Sequence, residues 1–240
     1  MPTPSHIIRC TKKELIAPGV YELRFTRPES MSFKAGQFLL FDVPLLANPA
    51  DIQTRAFSIA SAPRETELIF TVKLKSGGRA SAWIEQTLKI GTDVRVQGPL
   101  GLFTLKDASI ESELIFVATG AGIAPFRSQL KWALDEMQDT RPMHLLFGVR
   151  SREDFFWTEE FTGLASRHPH FCFHQVLSGQ DDSWKGLKGR VQMHLPSVTG
   201  SLKKPGIYIC GAPEMVKDVK ETCLTVMQIP KAQVHAEGYI

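Results

Sequence analysis

Five consecutive apolar residues, Leu114-Ile115-Phe116-Val117-Ala118, leave this chain little choice of architecture around its middle. A strand without a polar face has to be covered on both sides, which is the situation inside a parallel sheet flanked by helices. The run passes directly into Thr119-Gly120-Ala121-Gly122-Ile123-Ala124-Pro125 and then a helical stretch over residues 126–138. Strand and helix patterns alternate from there: strands over 143–147, 171–177 and 207–210, helices over 155–166 and 213–227, and a helix start over 189–195. Such alternation predicts an α/β domain built on a parallel sheet.

The first hundred residues are patterned differently. Val20-Tyr21-Glu22-Leu23-Arg24-Phe25 alternates with the two-residue period of a half-buried strand. Further strands are predicted over 36–41, 56–60, 68–74 and 93–97, with one short helix over 80–89. Proline and glycine punctuate the intervals, at Pro18-Gly19, Pro44, Pro49, Pro63, Gly77-Gly78 and Gly98-Pro99. Many short strands between such turns indicate a small antiparallel β-barrel. A chain of 240 residues has room for both. The expected division is a barrel domain over 1–107 and an α/β domain over 108–240, with a short hinge near 106–112.

Composition excludes several classes of function. The formal net charge is +3 and the basic residues form no dense run, so nucleic acid is not an expected partner. Cys10, Cys172, Cys210 and Cys223 are far apart with no CxxC pair, which argues against a cysteine-ligated cluster or a disulfide framework. His144, His168, His170, His174 and His194 lack an HExxH-type spacing, and no metal is expected. Met1-Pro2-Thr3-Pro4-Ser5 does not have the pattern of a signal peptide, and no apolar stretch approaches the roughly 20 residues of a membrane span. The expected location is the cytoplasm.

Chemistry concentrates at turns. Gly120 and Gly122 lie between a buried strand and a helix start, where backbone N–H groups and the helix dipole favour a phosphate, and Pro125 suits a first helical turn. The sequence departs from GxGxxG because Pro125 holds the place of the third glycine. Arg150, after the next strand, faces either a nucleotide 2′-phosphate or nearby acidic residues, leaving NADH and NADPH both open. Cys210-Gly211 ends the strand over 207–210 in the same manner. In the barrel, Arg55-Ala56-Phe57-Ser58 offers a guanidinium for phosphate, a ring to stack on a flavin and a hydroxyl donor. Gly77-Gly78-Arg79-Ala80-Ser81, at a helix start, is a second phosphate cradle. Phe155-Phe156-Trp157, Trp83, Trp132 and Trp184 read as packing residues.

In this order, the motifs resemble the ferredoxin–NADP reductase superfamily across almost the whole chain, above all the FAD-containing reductase modules of bacterial multicomponent oxygenases. The family's Arg-x-Tyr-Ser segment is matched by Arg55, Phe57 and Ser58, with phenylalanine in place of the usual tyrosine. The resemblance implies Arg55 at the FAD pyrophosphate, Phe57 on the isoalloxazine face and Ser58 near N5. It implies further cofactor contacts from Val72, Gly77, Gly78, Arg79, Ala80 and Ser81. Thr119, Gly120, Gly122, Ile123, Pro125 and Arg150 would hold NADH or NADPH, together with Cys210, Gly211 and Met215 of the Cys-Gly-x-x-x-Met segment. Glu237 and Tyr239 match a C-terminal Glu-x-aromatic in which the ring covers the flavin, and Ile240 extends one residue past it. Ser58, Cys210 and Glu237 are the expected catalytic residues. The sequence carries no Cys-rich ferredoxin-type segment, so the implied acceptor is a separate ferredoxin-like, iron–sulfur or oxygenase component. Two rival readings share the scaffold: a free-flavin reductase, against which the 77–81 cradle counts, and a non-catalytic electron-transfer subunit.

Overall fold

The computed structural model describes residues 3–199 and 203–239. Met1, Pro2 and Ile240, which entered the reading of the two termini, lie outside the described residues. The chain forms two units. The first comprises residues up to Thr104 with Arg127–Trp132, and the second Leu105–Phe126 with everything from Ala133 onward.

The first unit contains β1 (Ser5–Ala17), β2 (Val20–Thr26), β3 (Phe38–Leu45), β4 (Asn48–Ser58), β5 (Glu67–Lys73), α1 (Arg79–Gln86) and β6 (Asp93–Leu100). The strands make one antiparallel sheet in the order β4-β3-β6-β1-β2-β5. Phe41 on β3 and Phe70 on β5 are four strands apart in that order, yet their ring centroids are 4.9 Å from each other. In a flat sheet four strand spacings would separate them by about 19 Å. The sheet is therefore rolled into a barrel around Phe25, Phe41, Phe70 and Trp83, as the turn-punctuated strand pattern predicted.

Strand β1 is the element that the sequence pattern hides. Its register shifts between Cys10 and Lys12 and again between Leu15 and Ala17, so alternation breaks twice within thirteen residues. Only Ile8, Cys10 and Ala17 of the strand are fully buried. Strand β4 begins eight residues earlier than the 56–60 pattern predicted, because its first half is an exposed sheet edge with no apolar period.

The second unit holds β7 (Glu113–Thr119), β8 (Met143–Val149), α3 (Thr158–Arg167), β9 (Phe171–Leu177), β10 (Leu187–Lys188), α4 (Leu195–Thr199), β11 (Pro205–Gly211), α5 (Pro213–Glu221) and β12 (Val234–Gly238). Helix α2 (Ala124–Lys131) follows the glycine turn after β7. The sheet is parallel throughout, ordered β10-β9-β8-β7-β11-β12. Leu114 to Ala118 are all fully buried in β7, as a doubly covered strand requires. From β7 the chain winds outward to β10, then returns to the other side as β11 and β12. That reversal beside β7 is where such sheets bind ligands, at the carboxyl ends of their strands.

Two expectations need correction. The helix predicted from 155 begins at Thr158, because Trp157 adopts a left-handed conformation (φ 56°). Phe155 and Phe156 instead pack edge-on against Phe147, with centroids 5.6 and 5.4 Å away. The segment 106–112 is no loose hinge, since it is pinned inside the second unit. The Lys106 N–H donates to the Tyr208 hydroxyl (2.9 Å), and Arg141 donates to the carbonyls of Lys106 and Glu111 (3.0 Å each). Glu111 is fully buried, accepting from Tyr208 (2.7 Å) and bonded to His235 (2.6 Å).

Candidate functional site

In the first unit, the end of β4 presents Arg55 and Phe57 on one face and Ser58 on the other, by the two-residue period of a strand. Ser58 is buried, while Arg55 and Phe57 are half-buried. The Phe57 ring meets Phe41 edge-on at 5.1 Å, which fixes its plane. The Arg55 guanidinium donates to the Thr54 carbonyl and to Gln53 Oε1, both at 2.9 Å and both exposed, so its hold is local. Val72 is buried in β5 opposite Tyr21, and beside it the Thr71 hydroxyl is buried with no partner among the described residues.

Gly77 and Gly78 lead into α1. Gly78 is its N-cap, no side chain caps the helix, and the first turn contains no acid. The opening N–H groups of a helix need an acceptor, and an anion at this end also meets the positive end of the helix dipole. Arg79 and Ser81, both expected to serve the cofactor, already have protein partners. Arg79 pairs through both terminal nitrogens with Asp51 (3.0 and 3.1 Å), and the Ser81 hydroxyl accepts from the Lys75 N–H (2.7 Å). They shape the cradle from behind, while Ala80 packs on the barrel core. An uncapped helix start, a weakly held arginine and a ring of fixed plane suit the phosphates and ring system of FAD.

Sequence reading missed the support beneath Ser58. Arg127, 5% exposed, donates to the Ala60 carbonyl (2.8 Å) and forks onto Glu65 (2.8 and 3.0 Å), while the Ser128 hydroxyl donates to Ser61 O (2.7 Å). Burial raises the Glu65 carboxyl, but the hydrogen bonds and charge of Arg127 outweigh it and hold the group below its ordinary value. Nothing local announces this pair, whose members are 62 residues apart.

In the second unit, the turns after β7 and β11 interlock. A Cβ on Gly122 would lie 2.3 Å from the Cys210 carbonyl oxygen, so only glycine lets these turns approach so closely. Gly120, by contrast, has φ 52° and open space where its Cβ would be, leaving backbone accessible there. The Thr119 hydroxyl accepts from the Ala212 N–H (3.2 Å) and ties the two turns together. Neither the turn at Gly120 nor the start of α5 has a side-chain cap. Ile123 and Pro125 are buried behind the turn, and Met215 is nearly so.

Cys210 is fully buried. Burial, then the Glu237 charge, push its thiol well up, against a side-chain hydrogen bond with Tyr239, so it stays protonated. It pairs in register with Glu237 on β12, and the Tyr239 N–H donates to the Gly211 carbonyl (3.2 Å). Cys210, Gly211, Glu237 and Tyr239 are thus brought together. Ser58, the other expected catalytic residue, belongs to the first unit.

Beyond β8 and β9 lies a pocket of about 360 Å³ lined by Arg150, Ser151, Arg152, Glu153, Leu177, Gly179, Gln180 and Asp181. Arg150 is exposed. Arg152 is taken by Asp181 (2.6 Å) and lies over the Trp184 ring (5.3 Å). Asp181, which the sequence did not single out, joins Glu153 as an acidic group of this pocket.

Two family models match the chain: an oxidoreductase FAD-binding domain over residues 8–105 and an oxidoreductase NAD-binding domain over residues 116–221. Ferredoxin–NADP reductase B of Sorangium cellulosum is 34% identical over 93% of both chains. The reductase component DmpP of phenol 2-monooxygenase from Pseudomonas is 35% identical over 84% of this chain, which spans 56% of that protein. A ferredoxin–NADP+ reductase from Neisseria gonorrhoeae, solved with FAD and NADP bound, has a TM-score of 0.82 at 24% identity, with 98% of each chain covered, a likeness of fold. The chain belongs to the ferredoxin–NADP reductase family of oxidoreductases, which carry electrons from NAD(P)H through FAD to an acceptor.

Proposed function

We propose that this chain is an FAD-bound reductase serving a separate one-electron acceptor, a ferredoxin-like or iron–sulfur protein or an oxygenase component. The carrying observation is the uncapped start of α1 behind Gly77-Gly78, a place for a pyrophosphate that a free-flavin reductase does not need. What FAD supplies is the conversion between a two-electron donor and a one-electron acceptor. The protein's own contribution is position. Residues 1–107 hold the flavin and residues 108–240 the nicotinamide nucleotide. Arg55 neutralises phosphate, Phe57 backs the ring system, and Ser58 donates a hydrogen bond near N5. Val72 adds an apolar wall to the flavin half, and the turns at Thr119–Gly122 and Cys210–Gly211, with Met215, hold the nicotinamide nucleotide. The buried Cys210 thiol keeps its turn in place, Glu237 anchors or relays a proton, and Tyr239 covers the flavin.

The pocket lined by Arg150 and Asp181 takes the adenosine end. A ribose hydroxyl there can donate to Asp181, and a 2′-phosphate can meet Arg150. The four unpaired cysteines among the described residues suit a reducing compartment, and we assign the protein to the cytoplasm. No helix among the described residues is long and apolar enough to cross a membrane.

Anaerobic stopped-flow mixing with NADH or NADPH, followed by an excess of ferredoxin or cytochrome c, tests the reading. Flavin bleaching in the first phase and stepwise reoxidation in the second are expected. Bleaching that only dioxygen reverses would refute a one-electron acceptor.

A further inference from the structure

The apolar face of the parallel sheet carries a group of three polar side chains on β8 and β9. His144 on β8 stands in register with Cys172 on β9, and His174 follows two residues later on the same face. Leu146 and Val176, next along those strands, belong to the hydrophobic core of that face, so the three polar side chains point the same way as core residues. His144 Nδ1 and His174 Nε2 are 3.1 Å apart, and the Cys172 sulfur completes a set whose donor atoms all lie within 4.8 Å of one another. All three side chains are partly buried.

We propose that His144, Cys172 and His174 form a three-ligand site for a Zn2+-class ion, with water in the fourth position. Two imidazoles and a thiolate suit a borderline-soft ion and exclude magnesium and calcium, which take oxygen ligands. Zinc–nitrogen bonds of about 2.0–2.1 Å in a tetrahedron put two nitrogens about 3.3 Å apart, close to the spacing already present. The nitrogen–sulfur edge would be about 3.6 Å, so the thiolate needs to move inward by about an ångström at most.

Cys172 has no hydrogen-bond partner among the described residues and would release its proton to solvent as the sulfur–metal bond forms. The bound ion would tie β8 to β9 near their amino ends, about 13 Å along the strand from Gly148, which pairs with Thr119 at the nucleotide turn. No linear spacing advertises the set, because the sheet register assembles it.

The full-length protein, stripped with a chelator, is titrated with Co2+ and then Zn2+. One equivalent of Co2+ should give intense d–d bands in the red, clear of flavin absorption, with a near-ultraviolet thiolate charge-transfer band. Zn2+ should displace both. Cys172→Ser should remove the charge-transfer band, and His174→Gln should weaken Zn2+ about tenfold or more, with flavin content and NAD(P)H oxidation unchanged. In the unmodified protein, Zn2+ should slow alkylation of Cys172, read by peptide mass spectrometry, so the test does not depend on the variants folding. Weak octahedral Co2+ spectra, equal affinity in all variants, or alkylation indifferent to Zn2+ would overturn the site.

Discussion

Arg127 donates to Ala60 and Glu65 from within the barrel unit, and its removal would take from Glu65 its hydrogen-bonded charge partner while Lys131 stays 3.9 Å away. About a quarter of the Glu65 side chain is open to water, so Arg127→Met should cost about 2–3 kcal/mol, below the full cost of breaking a buried pair. Chemical denaturation measures this. The Glu65 carboxyl is lowered in the fold, so its contribution is complete above the unfolded value of about 4.5 and is lost as pH falls through the folded value. The acid limb of the stability curve should therefore flatten in the variant. At the nucleotide turn, Gly122→Ala drives a methyl onto the Cys210 carbonyl. It should raise the KM for both nicotinamide nucleotides about tenfold or more while flavin content stays at the unmodified level. Arg150→Ala should raise the KM for NADPH about fivefold and leave that for NADH unchanged if the pocket takes a 2′-phosphate. The tight turn at Gly122 was legible in the sequence because a glycine at a strand end carries a local steric constraint. The clamps Arg127–Glu65 and Arg152–Asp181 were not, since each joins residues far apart in the chain.

Among the elements, the parallel strands were the most readable, because burial on both faces writes itself as an unbroken apolar run. The weakly patterned strands were β1, bulged twice, and the edge strands β4 and β12, whose exposed residues carry no apolar period. The start of α1 was legible as a glycine pair, but the occupation of Arg79 and Ser81 was not. If the uncapped helix start holds the pyrophosphate, Gly78→Asp should place a carboxylate where phosphate binds and lower FAD content after gel filtration, without changing the melting of the second unit. In the parallel sheet, Tyr208 spans from β11 to Glu111 and Lys106. Tyr208→Phe leaves a buried carboxylate oxygen short of a donor and should cost about 1–3 kcal/mol by thermal or denaturant unfolding.

For the molecule as a whole, the order of motifs carried more than any one of them. A barrel with an uncapped helix start behind a glycine pair, followed by a parallel sheet with a glycine turn at its switch point, is the organisation expected of a flavin reductase. The histidine–cysteine set on the second sheet shows the converse, a grouping that exists only after folding. On this reading FAD is a resident cofactor of the chain. Purification under mild conditions, a visible spectrum and chromatography of the heat-released cofactor address it directly. About one FAD per chain, bleached anaerobically by NADH or NADPH, is the predicted result. A colourless protein that reduces added riboflavin or FMN without retaining it would contradict the account and leave the 77–81 segment a structural turn.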